Sequence, residues 1–346
     1  MLIIPHEIAE TPMPFIKVKN DLSETSVLSD ILGHFEVPDT ASSIYLDNLK
    51  GQFVKVNNLS GANIEAEGIL SPENHWAVKL PDPQTDNRLL DKTTAQYMVY
   101  YHVTKVIGHV SKYIHPAWID EPLVANTNLS QHCNAHWDGR TINLYSGSGP
   151  SRGDRCANTG LISDIIYHEW GHGLDANTGG IQDSAFSEGI GDIISLLMTR
   201  SAKLGVGFWA ANGAPVRDLE PNKIYPRDQG EVHDEGLIIG STFYDLYEAL
   251  TEKYDSDKAI DLLSQYILKG IYTARTYLDL YDAILVIDEE DNNLDTPSAN
   301  TCLINKVFTN HGLAQNLDWC TLAKIDDFKL AARADHHDQQ QSESQI

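Results

Sequence analysis

The segment His168-Glu-Trp-Gly-His172 constrains this chain more than any other feature. Two imidazoles four residues apart share a face only if the backbone is helical, so the pentad demands a helix. Its neighbours agree: Leu161, Ile162, Ile165 and Ile166 recur at helical spacing from Asn158, and the pattern stops near Asn177-Thr-Gly-Gly, a C-terminal glycine signal. On such a helix both imidazoles can converge on one zinc ion while Glu169 points at the metal-bound water. A catalytic zinc also needs a third protein ligand and an open position. Glu188, sixteen residues past His172, opens Glu-Gly-Ile-Gly-Asp192 on a helix expected from Asp183 to about Lys203, and the chain can turn back at Gly179-Gly180. Asp192 lies one turn beyond Glu188 on the same face, placed to accept the remaining N–H of a ligand histidine. Asp183 reads as the cap of that helix.

A length of 346 residues suggests two structural units or one large two-lobed domain. With 42% hydrophobic and 21% charged residues, collagen, coiled coil and wholesale disorder are excluded. No apolar run approaches the roughly 18 to 20 residues of a membrane span. The balance of 25 Lys+Arg against 49 Asp+Glu gives a net charge of −24, which repels nucleic acid and an anionic membrane surface. Cys133 and Cys156 form one near pair and Cys302 and Cys320 another, which fits two local disulfides in an exported protein, although three pairings are possible. The start, Met-Leu-Ile-Ile-Pro-His, lacks the parts of a signal peptide, so an exported chain would be read here in a mature or excised form.

Residues 1–90 read as β-rich, with alternation at 43–49, 51–57 and 75–80. Helical periodicity follows at 93–113, and later at 236–253, 257–271, 277–287 and 300–310, so the second half is mostly α. The stretch 331–346 carries no apolar pattern and is expected to be disordered. The acidic run Asp288 to Asp295 offers oxygen donors for Ca2+, or stands as a solvated loop, and lacks EF-hand spacing.

Taken in order, His168-Glu-Trp-Gly-His172-Gly, Ser187-Glu-Gly-Ile-Gly-Asp192, Arg217-Asp-Leu-Glu-Pro-Asn-Lys-Ile, Asp228-Gln-Gly-Glu-Val-His233 and Cys302-Leu-Ile-Asn-Lys-Val-Phe resemble the thermolysin-like zinc metallopeptidases, and within them look closest to the fungalysin branch. Upstream, Asn134-Ala-His-Trp-Asp-Gly139 is similar to the family's edge-strand segment. The resemblance spans about residues 90–320. It implies an α+β, two-lobed zincin: a β-rich N-terminal lobe, a central active-site helix, a mainly α-helical C-terminal lobe, and the metal in a cleft. The expected divisions are 1–90, a catalytic lobe at 91–178, a second at 179–330, and the tail.

The resemblance further implies roles. His168, His172 and Glu188 would hold Zn2+, with Asp192 behind them. Glu169 would be the general base, His233 the hydrogen-bond donor to the oxyanion, and Asp228 the group that holds the His233 imidazole. Asn134 and Ala135 would bind the peptide as an added strand, and Arg217 would take a substrate carbonyl. One departure is plain: the family's Tyr between the second His and the third ligand has no counterpart in 173–187. The expected protein is a secreted, monomeric zinc endopeptidase acting on protein or peptide substrates. Two alternatives stand beside it: a zinc-containing binding or adhesion module with little turnover, and an exopeptidase of the same group.

Overall fold

The computed structural model describes residues 13–38, 40–69, 87–130, 133–147, 156–209, 213–289, 298–315 and 320. The strand expected at 75–80 and the tail from 331 lie outside these residues. The chain falls into two compact units, Met1–Gly180 with Ile194–Asp218, and Ile181–Ile193 with Leu219–Ile346. The fold is α+β.

The first unit carries two four-stranded sheets. In one, β1 (Lys17–Asn20), β2 (Ser23–Leu28), β3 (Ser43–Leu46) and β5 (Ala66–Ile69) are antiparallel in the order β2-β1-β3-β5. The other has the order β4-β6-β8-β7, from β4 (Val54–Asn58), β6 (Leu123–Leu129), β7 (Ala135–Trp137) and β8 (Thr141–Tyr145). Its first three strands are parallel, and β7 closes the edge antiparallel to β8. Alternation explains the buried face: Val54 and Val56, Leu123 and Ala125, and Ile142 and Leu144 are buried on successive strands. Helix α1 (Asn87–Val110) lies on β4 and β6, and α2 (Ser163–Thr178) on β7 and β8. A parallel pair needs such a crossover, and β4 therefore pairs across more than sixty residues with β6.

Helix α1 starts six residues before the expected position, at Asn87. Residues 159–161 form a 3-10 turn rather than the first turn of α2, because the Asn158 side chain accepts from Gly160 N at 3.0 Å and ends the α geometry there. The same side chain donates to Asn128 Oδ1 at 2.7 Å, and Asn128 donates to Lys92 O at 3.0 Å, so one buried amide chain ties α1, β6 and the start of α2. Helix α3 (Ser184–Thr199) follows, with Asp183 accepting from Ala185 N and Phe186 N at 2.9 and 3.1 Å, the expected cap. The division between the units falls inside this helix. It ends earlier than expected, since Lys203–Leu204 form β9, paired with β10 (Arg217–Asp218). The disulfide Cys133–Cys156 is formed in this unit, and Cys302–Cys320 in the other.

The second unit contains α4 (Val232–Lys253), α5 (Ser256–Gly270), α6 (Tyr277–Asp288) and α7 (Thr301–Asn310), together with the first turns of α3. A Cβ added at Gly189 would lie 2.1 Å from Ile239 Cγ2, and one at Gly236 would lie 2.9 Å from both Ala185 O and Glu188 Cβ. Helices α3 and α4 thus touch through two glycines, at the turn of α3 that bears Glu188. Asp288 is buried and accepts from Asn300 Nδ2 at 2.8 Å and from the Tyr266 hydroxyl, a structural use of the first residue of the acidic run. Residues 290–295 of that run lie outside the described residues.

Gly236→Ala tests the helix contact. Helix propensity favours Ala by about 1 kcal/mol, but a Cβ against the Ala185 carbonyl costs more, so a net loss of roughly 1–2 kcal/mol in denaturant unfolding is expected. Gly108→Ala in α1, where the space is open, should instead gain up to about 1 kcal/mol. A stabilised Gly236→Ala protein would contradict the packing.

Candidate metal centre

Helix α2 buries Ile166, Tyr167, Trp170 and Leu174 against the sheet side and carries the pentad on the adjoining face. Tyr167 is pinned to α1 by a 2.6 Å hydrogen bond with His102 Nδ1. Burial, with a smaller contribution from Lys105, holds that imidazole down to about 3, so it stays neutral and accepts the phenol proton. Gly173, after the pentad, lets Trp118 lie against α2: a Cβ there would be 2.8 Å from the indole. Trp118 in turn packs on Trp137 and Trp170 at ring-centroid distances of 5.8 and 5.5 Å.

His168 and His172 turn the same way, as the four-residue spacing requires, and their Nε2 atoms are 3.1 Å apart. Two imidazole nitrogens that close need a proton between them or a shared cation. Glu169, between them in sequence, is 6% exposed. Its carboxylate adds to burial in raising the pKa of the Tyr145 hydroxyl, which meets His136 Nδ1 at 3.1 Å. His136 is therefore engaged with Tyr145.

Among the described residues, one ligand atom from each of His168, His172 and Glu188 falls within 4.8 Å of the other two. Two imidazole nitrogens and one carboxylate oxygen are a donor set that zinc accepts, and three protein ligands leave room for a fourth. The residues fit the ion that the pattern implies. Asp192 is fully buried on α3, and Gly240 of α4 lies against it, with a Cβ there 3.8 Å from that of Asp192.

The other expected residues are distributed differently. Ala135 begins the edge strand β7, and Asn134 is exposed immediately before it, its carbonyl accepting from Thr159 Oγ1 at 3.1 Å. Arg217 places Nη1 3.2 and 3.3 Å from the two ring nitrogens of His168, so its guanidinium lies against a candidate ligand rather than standing clear for a substrate. His233, in the first turn of α4, brings Nε2 to 3.5 Å from Glu188 Oε1. Asp228 is not the group drawn to that imidazole. Its Oδ2 accepts from Ile224 N and from Arg227 Nη2, both at 2.7 Å, and the Arg227 guanidinium holds its pKa below the usual carboxylate range. Glu231 meets His233 Nδ1 instead, at 2.7 Å. Its signal in the sequence was a carboxylate two residues before the histidine at a helix start.

No family model matches the chain, and no curated protein matches its sequence. Among solved structures it is similar to the precursor of protealysin, a metalloproteinase from Serratia proteamaculans. The TM-score is 0.50 at 15% identity, covering 64% of this chain and 79% of that one. At that identity the likeness establishes the fold.

The turn that presents β7 is held by Asp138, which accepts from Arg140 N, Thr141 N and Thr141 Oγ1 at 2.9, 2.7 and 2.7 Å. Burial opposes its ionisation, but bonds from Thr141 and Asn143 outweigh it and bring the carboxyl down to about 2. A pKa lowered on folding contributes stability above the unfolded value of 3.8, lost as pH falls through the folded value. The melting-temperature advantage of the natural protein over Asp138→Ala should be constant above pH ~4 and close toward pH ~2. A gap that widens in acid would refute this account of the turn.

Proposed function

We propose that this chain is a zinc-dependent endopeptidase, with His168, His172 and Glu188 as metal ligands. The observation that carries the reading is the convergence of two imidazoles and a carboxylate within 4.8 Å, with the buried Glu169 between the histidines in sequence. The fold shared with a metalloproteinase precursor supports it. The five ordered motifs are the ground for placing it near the fungalysin branch of the thermolysin-like group.

Zinc held by these side chains would polarise a substrate carbonyl and acidify water. Glu169 would accept the proton of the attacking water and return it to the departing amine, the work of a general base and then a general acid. His233 would donate from Nε2 to the oxyanion of the tetrahedral intermediate. An extended peptide would add to the sheet along β7, with Asn134 and Ala135 supplying hydrogen bonds, which favours cleavage within a chain. Asp192 would bear on a ligand histidine. Arg217 would take a substrate carbonyl once a metal occupies the His168 ring nitrogen it now faces. The two disulfides suit a secreted protein. No helix among the described residues is long and apolar enough to cross a membrane.

The test is casein cleavage with metal analysis. One zinc per chain is expected, with activity lost to a chelator and restored by Zn2+. Glu169→Gln should lower kcat by about 10²- to 10⁴-fold with zinc retained. Full zinc occupancy with no cleavage would favour the binding-module alternative, and cleavage indifferent to chelator would end the proposal.

A further inference from the structure

We infer that Glu231 is the positioning residue for the His233 imidazole, in place of the Asp228 that the sequence pattern nominates. The inference rests on the reading of His233 as the oxyanion donor, and concerns what aims that ring.

Glu231 stands at the N-cap of α4, where Oε2 accepts from His233 N at 3.0 Å and Asp234 N at 3.3 Å. A cap requires only that one oxygen. Ser, Thr, Asp and Asn are the residues that usually supply it, and a glutamate is longer than the task needs. The extra reach is used: Oε1 meets His233 Nδ1 at 2.7 Å. The contact with His233 is also the main reason the Glu231 carboxyl sits below its ordinary pKa. Since a carboxylate accepts, Nδ1 donates to Glu231, and the ring is turned so that Nε2, which needs a proton of its own to serve an oxyanion, lies 3.5 Å from Glu188 Oε1. Both ends of the imidazole thus face carboxylates, one on its own helix start and one on α3.

An ion pair this exposed contributes little to stability, because both side chains keep much of their solvent. Its value is orientation. Two backbone N–H groups hold the carboxylate, the carboxylate holds the ring, and the ring is a hydrogen-bond donor whose direction decides its use. Asp228 has no such arrangement. Its described bonds run back to Ile224 N and sideways to Arg227, which closes the turn before α4.

The two roles of Glu231 separate by substitution in the full-length, zinc-loaded protein. Glu231→Ser keeps a competent helix cap but cannot reach the ring, so the melting temperature should hold. Long-range 1H–15N NMR of the His233 imidazole should show a hydrogen-bonded proton on Nδ1 in the natural protein and in Asp228→Asn, and its loss in Glu231→Ser. kcat on a peptide substrate should fall roughly 10- to 100-fold in Glu231→Ser with KM little changed. An unaltered Nδ1 proton in Glu231→Ser, or its loss in Asp228→Asn, would overturn the inference. The NMR readout decides this even if the chain hydrolyses nothing, whereas His233→Ala with undiminished turnover would condemn the oxyanion role alone.

Discussion

Everything around the candidate centre depends on two imidazoles that one helix forces together. An α-helix keeps residues four apart on one face, and with both rings turned the same way the Nε2 atoms of His168 and His172 lie 3.1 Å from each other. Imidazole nitrogens that close are unfavourable without a cation or proton to share, and the surrounding structure holds them there. Tyr167 anchors the helix to α1 through His102, and Gly173 admits Trp118 on the flank. The net charge of −24 favours a cation electrostatically, while adding no selectivity of its own.

The carboxylate that completes the donor set is placed by backbone contact. Gly189 and Gly236 present no side chain of their own to the contact between α3 and α4, so Ile239 and the Ala185 carbonyl approach their backbones and the Glu188 turn lies beside the first turn of α4. The segment leading into α4 is held in turn by His311, buried at the end of α7, with Nδ1 2.7 Å from Lys223 O and Nε2 3.1 Å from Asp245 Oδ2. Tyr225 N donates to the His311 carbonyl at 2.9 Å. These contacts fix where α4 begins, and therefore where Glu231 and His233 emerge.

Much of this was legible in the chain. The helices appear because their apolar residues repeat at 3.6, as in the run of Ile and Leu before the pentad, and the two histidines of the candidate centre because four-residue spacing puts side chains on one face. Asp183 announced the start of α3 for the same local reason. Partners distant in sequence gave no such signal. Nothing in Val54–Asn58 indicates that it pairs in parallel with Leu123–Leu129, since pairing depends on α1 covering both strands. The end of α3 was overrun because Lys203 and Leu204 are drawn off by Arg217 and Asp218, a choice made by a strand thirteen residues away. The run beginning at Asp288 looked like a cation loop, yet its first carboxylate is spent on Tyr266 and Asn300.

By itself the sequence determined the residue types of the centre, their helical spacing, the near pairing of the cysteines and the division into β-rich and helical parts, because periodicity and local chemistry act over a few residues. Only the tertiary structure decided that Glu231 rather than Asp228 meets His233, that Arg217 leans on His168, and that two glycines bring α3 against α4. Those outcomes turn on side-chain reach and backbone approach between elements far apart in the chain, and a linear pattern does not contain such distances.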